Sequence, residues 1–252
     1  MRMLSEKRRN EVLSAISRID GVSVSALAKT FGVSMETIRK DIRFWEEKGI
    51  LRKTHGGAIL HDNDRLSHIN KRSVENVGAK NAIAAKLLEY IPRASTVFVD
   101  SGSTAVCAAK QLAFHTGLTI VTHSVLVASE LAESGNKVML LGGILHPESM
   151  GSHGLWAANA LKSILIDVAV IDSSGFKGFD GPVVNDFADA EVKGMVVQRS
   201  KLKVVIADSS KFSTSGLVQY CRWGDVDILI TDSGADPERC EELRKTTEVV
   251  FA

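Results

Sequence analysis

Cysteine, proline and tyrosine are all scarce in this 252-residue chain. Its three cysteines, Cys107, Cys221 and Cys240, form no C-x-x-C pair, which excludes a disulfide framework and argues against a zinc site. No run of about eighteen apolar residues occurs, and the first ten residues are not followed by the apolar segment of a signal peptide. We therefore expect reduced thiols, no contact with a membrane and a cytoplasmic protein.

An overall excess of charge of either sign is also lacking, because 31 Lys and Arg are balanced by 30 Asp and Glu and the formal net charge is only +1. Its distribution is uneven, however. Residues 1–60 carry 12 Lys and Arg against 7 Asp and Glu, a net charge of +5, whereas residues 61–252 carry 19 against 23, a net charge of −4. A basic head on a mildly acidic body is expected where only the head meets the phosphate backbone of a nucleic acid.

The basic head has the pattern of a small three-helix domain followed by a wing. Apolar residues at three- and four-residue spacing predict three helices within residues 5–48. Ser23 and Ser34 are placed to cap the second and third helices, and Gly32 closes the tight turn between them. Two short extended pieces then surround Gly56-Gly57. This order is that of a winged helix-turn-helix, so we predict that residues 1–60 bind double-stranded DNA.

The third helix has one apolar face, formed by Ile38, Ile42 and Trp45, and one polar face. Its N-terminal residues are expected to reach base edges and its cations to hold phosphates. The alternative is that these cations only form the solvent-exposed face of the helix and do not contact DNA. Asp41 either pairs with a nearby cation or is exposed. The predicted DNA-binding residues are Ser34, Met35, Glu36, Thr37, Arg39, Lys40, Arg43, Arg52, Lys53 and His55.

Residues 61–75 are polar and weakly periodic and are predicted to be a linker. Beyond them, short apolar runs alternate with helical patterns, which predicts βαβ units around a mostly parallel sheet. Residues 76–252 are thus expected to form a larger α/β domain that senses an effector and forms oligomers. The predicted strands are 96–100, 118–122, 137–141, 167–171, 203–207, 228–231 and 249–251.

Five successive predicted strands end in small, polar or charged residues, and ligands bind at strand ends in open parallel sheets. The clearest example is Asp100-Ser101-Gly102-Ser103-Thr104, where amides and hydroxyls at a helix start would cradle a phosphate. A single loop of this kind would only cap a helix. His123 is the one histidine with a predicted ligand role. The effector-binding residues predicted from strand ends are Asp100, Ser101, Gly102, Ser103, Thr104, Thr122, His123, Ser124, Gly142, Gly143, Gly175, Asp208 and Lys211.

Thr37-Ile38-Arg39-Lys40-Asp41 and the run from Gly49 to Ala58 resemble the DeoR family of bacterial transcriptional regulators. Trp45 stands where that family usually has Leu, which we expect to change packing only. The resemblance continues through Asp100–Thr104, and Asp208–Phe212 matches without alteration. It also extends to 189–193, which adds Lys193 to the predicted effector-binding residues, although Asp189 and Gly194 depart from the family pattern.

The resemblance implies a sensor body like the sugar-phosphate isomerase and CoA-transferase superfamily. It also implies a repressor of a sugar or carbohydrate catabolic operon, controlled by a phosphorylated sugar-type metabolite and working as a homodimer or higher oligomer. No catalytic residue, cofactor or metal is expected, since His146 and His153 have no surrounding ligand set. Trp156 and Trp223 are predicted for the core or an interface.

Two other functions are weighed. One is a sugar-phosphate isomerase with an accessory DNA domain, in which Asp100, Glu191, Asp208 and Lys211 would do acid–base work. The other is a DNA-architectural protein with an inert body, which the polar strand ends argue against.

Overall fold

The N-terminal unit, residues 1–75, combines short helices with a small antiparallel sheet. The computed structural model describes residues 5–18, 22–54, 56–60 and 67–252 of the chain. The strands form a sheet in the order β1-β3-β2. The elements are α1 (Ser5–Arg18), β1 (Val22–Ser23), α2 (Val24–Phe31), α3 (Met35–Glu47), β2 (Leu51–Thr54), β3 (Gly57–Leu60) and α4 (Ser67–Val74).

The helix-turn-helix forms as its caps predict. The Ser23 hydroxyl accepts a hydrogen bond from the Ala26 amide at 3.2 Å, and Ser34 accepts one from the Thr37 amide at 3.2 Å. Gly32 ends α2 in the left-handed conformation, with φ at 61°. The predicted end of the first helix at residues 20–21 lies outside the described residues.

One apolar cluster holds this unit together. Leu13, Leu27, Ile38, Ile42 and Leu51 are its central side chains and are almost completely buried. Trp45 joins the cluster as an apolar-face residue, and its indole N–H donates to the Arg9 carbonyl at 2.9 Å. Helix α4 falls within the segment predicted to be a linker, and its Val74 is buried in the same cluster.

The second unit, residues 76–252, carries a seven-stranded sheet in which every described pairing is parallel. The strand order is β14-β13-β11-β9-β4-β5-β6. Its elements are α5 (Val77–Leu87), β4 (Thr96–Val99), α6 (Ser103–Leu112), β5 (Thr119–Thr122), α7 (Val125–Leu131), β6 (Lys137–Leu140), β7 (Ile144–His146), β8 (Gly151–His153), α8 (Leu155–Lys162), β9 (Ile166–Ile171), β10 (Val183–Val184), α9 (Phe187–Arg199), β11 (Ser200–Ile206), β12 (Val218–Gln219), β13 (Ile228–Thr231), α10 (Pro237–Leu243) and β14 (Glu248–Phe251).

All seven predicted strands are present, within a few residues of their predicted ends. Three further features were not predicted: the antiparallel hairpin β7–β8, the short pair β10–β12 and helix α10. Among the described residues, no helix has both the length and the low charge needed to cross a membrane.

The side chains of each strand point alternately to the two faces of this sheet, and helices cover both faces. In β4, Val97 and Val99 point into a core shared with α5, α6 and α7, whereas Phe98 points into a second core shared with α8 and α9. The unit is therefore a three-layer α/β/α sandwich.

The sheet reverses its direction of growth at β4. The chain runs from β4 through β5 to β6 at one edge, then returns to place β9 on the other side of β4. Such a switch point leaves a crevice at the carboxyl ends of the two diverging strands, where open α/β sheets bind ligands. The residues that directly follow β4 and β9 are Asp100 and Asp172.

Candidate functional site

The Asp100 carboxylate is fully buried and accepts hydrogen bonds on both oxygens. Oδ1 accepts from the Ser101 amide and from His123 Nε2, each at 2.8 Å. Oδ2 accepts from the Asp172 amide at 2.9 Å and lies 2.8 Å from Lys193 Nζ. With four donors in place, Asp100 organises the strand ends around it and has little capacity left to accept from a ligand.

Lys193, on α9, brings a buried cation to this crevice and is surrounded by carboxylates. Its Nζ lies 2.5 Å from Asp172 Oδ1 and 3.7 Å from Asp189 Oδ2, in addition to Asp100. Burial opposes the charge of Lys193, but the three carboxylates outweigh burial and raise its pKa. Tyr220 completes the group by donating its hydroxyl to the Asp172 carbonyl at 2.9 Å.

The two central carboxylates respond oppositely to this environment. Burial would raise the pKa of Asp100, but Lys193 and His123 together hold that pKa well below its ordinary value. Burial raises the pKa of Asp172 to about 6, and the Asp100 charge adds to this effect while Lys193 opposes it. Asp172 is therefore the carboxylate in the crevice that can take up a proton near neutral pH.

His123 is held at both ring nitrogens. Nε2 faces Asp100, and Nδ1 lies 3.2 Å from the Ser152 carbonyl oxygen. Burial would lower the pKa of His123, but the hydrogen bond and charge of Asp100 outweigh burial and raise it. Two acceptors around one ring favour the doubly protonated imidazolium.

Three side chains of this region, His123, His153 and Asp189, have donor atoms within 4.8 Å of one another, which raises the question of a metal site. The geometry does not fit one, because both nitrogens of His123 face acceptors and so offer no lone pair to a cation. Lys193 also places a positive charge 3.7 Å from Asp189. His153 Nδ1 and Asp189 Oδ1 are buried 4.0 Å apart, and neither atom makes a hydrogen bond to a described residue.

The start of α6 lies beside this cluster and keeps its donors free. The Ser101 amide is used by Asp100, but the amides of Gly102, Ser103 and Thr104 donate to none of the described residues. Gly102 has φ at 111°, and a Cβ added there would lie 1.8 Å from Asp172 Oδ2. Only glycine therefore permits the Asp172 carboxylate to approach the helix start this closely.

The remaining residues predicted for the effector site lie apart from this cluster or are engaged locally. Thr122 accepts from the Ser124 amide at 3.0 Å, and Ser124 caps α7 by accepting from the Val127 amide. Gly142 and Gly143 are exposed in the connection between β6 and β7. Gly175 is buried, and a Cβ at this position would lie 2.2 Å from the Thr214 carbonyl oxygen. Close packing therefore explains why this residue is a glycine.

Asp208 and Lys211 follow β11. The Asp208 carboxylate accepts from the Ser210 amide and hydroxyl and from Asn76. Among the described contacts, none joins Asp208 or Lys211 to the Asp100 cluster. Sequence reasoning missed Asp172 and Tyr220, although Asp172 carries the same signal as Asp100, an aspartate directly after an apolar strand.

In the N-terminal unit the structure exposes the cations predicted to contact DNA. Arg39, Lys40 and Arg43 project from α3, and Arg52 and Lys53 project from β2. Arg39 lies 3.6 Å from Glu36, and Lys53 is paired with Glu46. Ser34 serves as the cap of α3, Met35 is exposed, and the Thr37 hydroxyl is 2.9 Å from Ser34 Oγ. His55 lies outside the described residues.

Asp41 is buried and paired, which decides between its two interpretations. Its carboxylate accepts from Arg8 at 2.7 and 3.1 Å and lies 3.4 Å from Arg9. Because Arg8 and Arg9 belong to α1, this pair ties α1 to α3. Asp41 therefore orients the helix that carries the exposed cations.

Comparison with known proteins matches both units. Residues 8–64 match the DeoR-like helix-turn-helix domain, and residues 75–233 match the DeoR C terminal sensor domain. The HTH-type transcriptional regulator GolR of Listeria innocua is 29% identical over 233 residues, which is 92% of each chain. The glycerol-3-phosphate regulon repressor of Escherichia coli is 28% identical over 233 residues, again 92% of each chain.

Among solved structures, ribose 5-phosphate isomerase A of Methanocaldococcus jannaschii aligns with 55% of each chain, at a TM-score of 0.41 and 12% identity. The isomerase alternative is not retained, because the two matched domains are those of a regulator and together span most of the sequence. A helix-turn-helix with an exposed basic face and a separate sensor domain agree with this result. The chain belongs to the DeoR family of DNA-binding transcriptional regulators.

Proposed function

We propose that this protein represses a sugar or carbohydrate catabolic operon in the cytoplasm and that a phosphorylated sugar-type metabolite controls it as its effector. The match of residues 75–233 to the DeoR sensor domain is the observation that carries the proposal. The similarity to the glycerol-3-phosphate regulon repressor of Escherichia coli supports a phosphorylated effector.

Operator binding is assigned to the outer face of α3 and to the wing. Arg39, Lys40 and Arg43 are exposed on one helix whose cap and core are intact, so their charges can reach phosphates without unfolding the unit. A single helix-turn-helix reads one half-site, so we propose a homodimer or higher homo-oligomer on a two-half-site operator.

The phosphate of the effector is assigned to the start of α6. Free amides and the hydroxyls of Ser101, Ser103 and Thr104, which have no described partner, offer up to six donors at the positive end of a ten-residue helix. The deeper cluster cannot hold a second anion, since Asp100, Asp172 and Asp189 already outnumber Lys193 and His123. Asp172 next to Gly102 is then the group that adjusts its protonation when phosphate arrives.

DNA binding is tested first with a random-sequence duplex, because phosphate contacts do not depend on sequence. Arg39→Ala and Lys40→Ala should each weaken binding and reduce the slope of log affinity against log salt by about 1. Lys245→Ala removes the same charge from an exposed position of the second unit and serves as the control. Equal slopes for all four proteins would contradict the assignment to α3.

The effector is tested by thermal unfolding against sugar phosphates and their unphosphorylated counterparts, because a ligand of the folded state raises the melting temperature. Ser101→Ala should weaken binding of the stabilising phosphate roughly tenfold, the loss of one hydrogen bond to a charged group. Ser129→Ala, at an exposed position on α7, should bind like the wild type. Stabilisation by the unphosphorylated compound alone would refute the phosphate site.

A further inference from the structure

A surface of the second unit is built from large apolar side chains that contact solvent. Ile144 is 80% exposed, Trp156 77% and Leu155 74%. Leu140 and Leu145 are about half exposed. Scattered exposed apolar residues are normal on a protein surface, but a contiguous group of this size marks a contact with another molecule.

These residues come from neighbouring elements. Leu140 ends β6, Ile144 and Leu145 lie on β7, and Leu155 and Trp156 begin α8 directly after β8. The Trp156 ring lies 3.9 Å from the Cβ position of Gly142, which joins the start of α8 to the β6–β7 connection. We name this surface, formed by Leu140, Ile144, Leu145, Leu155 and Trp156, the hairpin face.

The hairpin face is depleted in charge. Residues 138–161 include a single charged residue, Glu148, although 24% of the chain is charged and about six would be expected. Depletion of charged residues together with exposed aromatic ones is the compositional mark of the centre of a protein–protein interface.

The exposed apolar area approaches that of one side of an ordinary subunit interface. Side chains of this size carry roughly 150–250 Å² each, so the exposed fractions leave on the order of 600–700 Å² of apolar surface. A standard interface buries about 800 Å² on each partner. The open edge of β6, whose described pairing is to β5 alone, borders the same surface and can also be covered there.

We propose that the hairpin face is the surface through which two copies of this chain associate about a two-fold axis. A two-fold interface brings the same surface from both copies together, so an apolar, uncharged face is complementary to itself. The inference deepens the proposed function, since it names the surface behind the homo-oligomer that operator binding requires, but it does not depend on the identity of the effector.

The test is the molar mass of the full-length protein in solution, measured by size-exclusion chromatography with light scattering. Trp156→Glu places a charge in the centre of the hairpin face and should reduce the mass at least twofold relative to the wild type. Phe114→Glu is the matched control, because Phe114 is 86% exposed just after α6, which packs on the opposite side of the sheet from α8. It should keep the wild-type mass.

Circular dichroism checks that each variant is folded. If Trp156→Glu does not fold, Ile144→Lys gives the same test at an exposed strand position. A monomeric wild type, or a folded variant of the hairpin face with the wild-type mass, would overturn the proposal. Either result leaves the proposed regulator intact as a DNA-binding protein, because the effect of Arg39→Ala on the salt slope is measured separately.

Discussion

Replacing Asp100 by asparagine should destabilise the second unit strongly. The carboxylate is buried and accepts from two backbone amides, His123 and Lys193. Asparagine has the same shape, but its NH₂ group would face two of those donors. The substitution also removes a negative charge, so that Lys193 is paired only with the other carboxylates. Removing one partner of a buried ion pair costs about 3–5 kcal/mol.

The assay is thermal unfolding followed by circular dichroism. For a domain of this size, 1 kcal/mol corresponds to roughly 2–4 °C, so Asp100→Asn should lower the melting temperature by roughly 6–20 °C. Asp167→Asn is the control. Asp167 pairs with the largely exposed Lys201 at 2.8 Å, and an exposed pair contributes only about 0–1 kcal/mol. Its carboxylate also accepts from the Thr96 amide at 2.8 Å, a bond that the amide oxygen of asparagine can keep.

The pH dependence of the stability provides a second test of this prediction. The pKa of Asp100 is lowered on folding. Its contribution to stability is therefore present above the ordinary pKa of 3.8 and is lost as the pH falls through the pKa in the folded state. The gap between the wild type and Asp100→Asn should therefore stay constant at neutral pH and narrow in acid. A melting temperature within about 2 °C of the wild type, or a gap that does not narrow, would refute the account of the cluster.

Three further predictions concern single positions. Gly102→Ala should destabilise the protein by more than about 2 kcal/mol, since its Cβ would meet Asp172 at a positive φ, whereas Gly78→Ala in α5 meets open space and should be neutral or slightly stabilising in urea unfolding. Because the pKa of Asp172 is about 6 and a phosphate beside it would raise that pKa further, the stabilising sugar phosphate should bind more tightly as the pH falls from about 8 to about 6. Because the phosphate itself titrates at about pH 6, the test is a difference: Asp172→Asn should show a weaker pH dependence of binding and less proton uptake in calorimetry than the wild type. Asp41→Asn should weaken DNA binding at unchanged salt slope, because it loosens α3 without removing a phosphate contact, and an altered slope would contradict its internal role.

Local patterns predicted most of the fold because the determinants are local. Apolar β-branched runs predicted the seven strands, and Ser23 and Ser34 act as the caps that their positions indicated. Helix α10 was missed although Asp236-Pro237, a cap followed by proline, is a start signal. The β7–β8 hairpin lacks a clear alternation of apolar and polar residues and could not be predicted in this way.

Which polar strand ends meet could not be predicted, because strand order is not written locally. The sheet places β9 next to β4 and β11 one strand further, so Asp172 joins Asp100, whereas Asp208 follows a strand about 10 Å away. This placement depends on the crossover between β8 and β9. That these strand ends form the effector site stays a prediction.

The buried cluster connects the proposed phosphate position to the hairpin face through direct contacts. Asp172 meets Lys193, Lys193 meets Asp100, and Asp100 holds His123, whose Nδ1 lies 3.2 Å from the Ser152 carbonyl oxygen on β8. Asp172 is thereby linked by contacts to the strand next to the exposed apolar residues of β7. If effector binding alters the packing of that hairpin, effector affinity and subunit association must change each other by the same factor, because coupling between two binding equilibria is reciprocal.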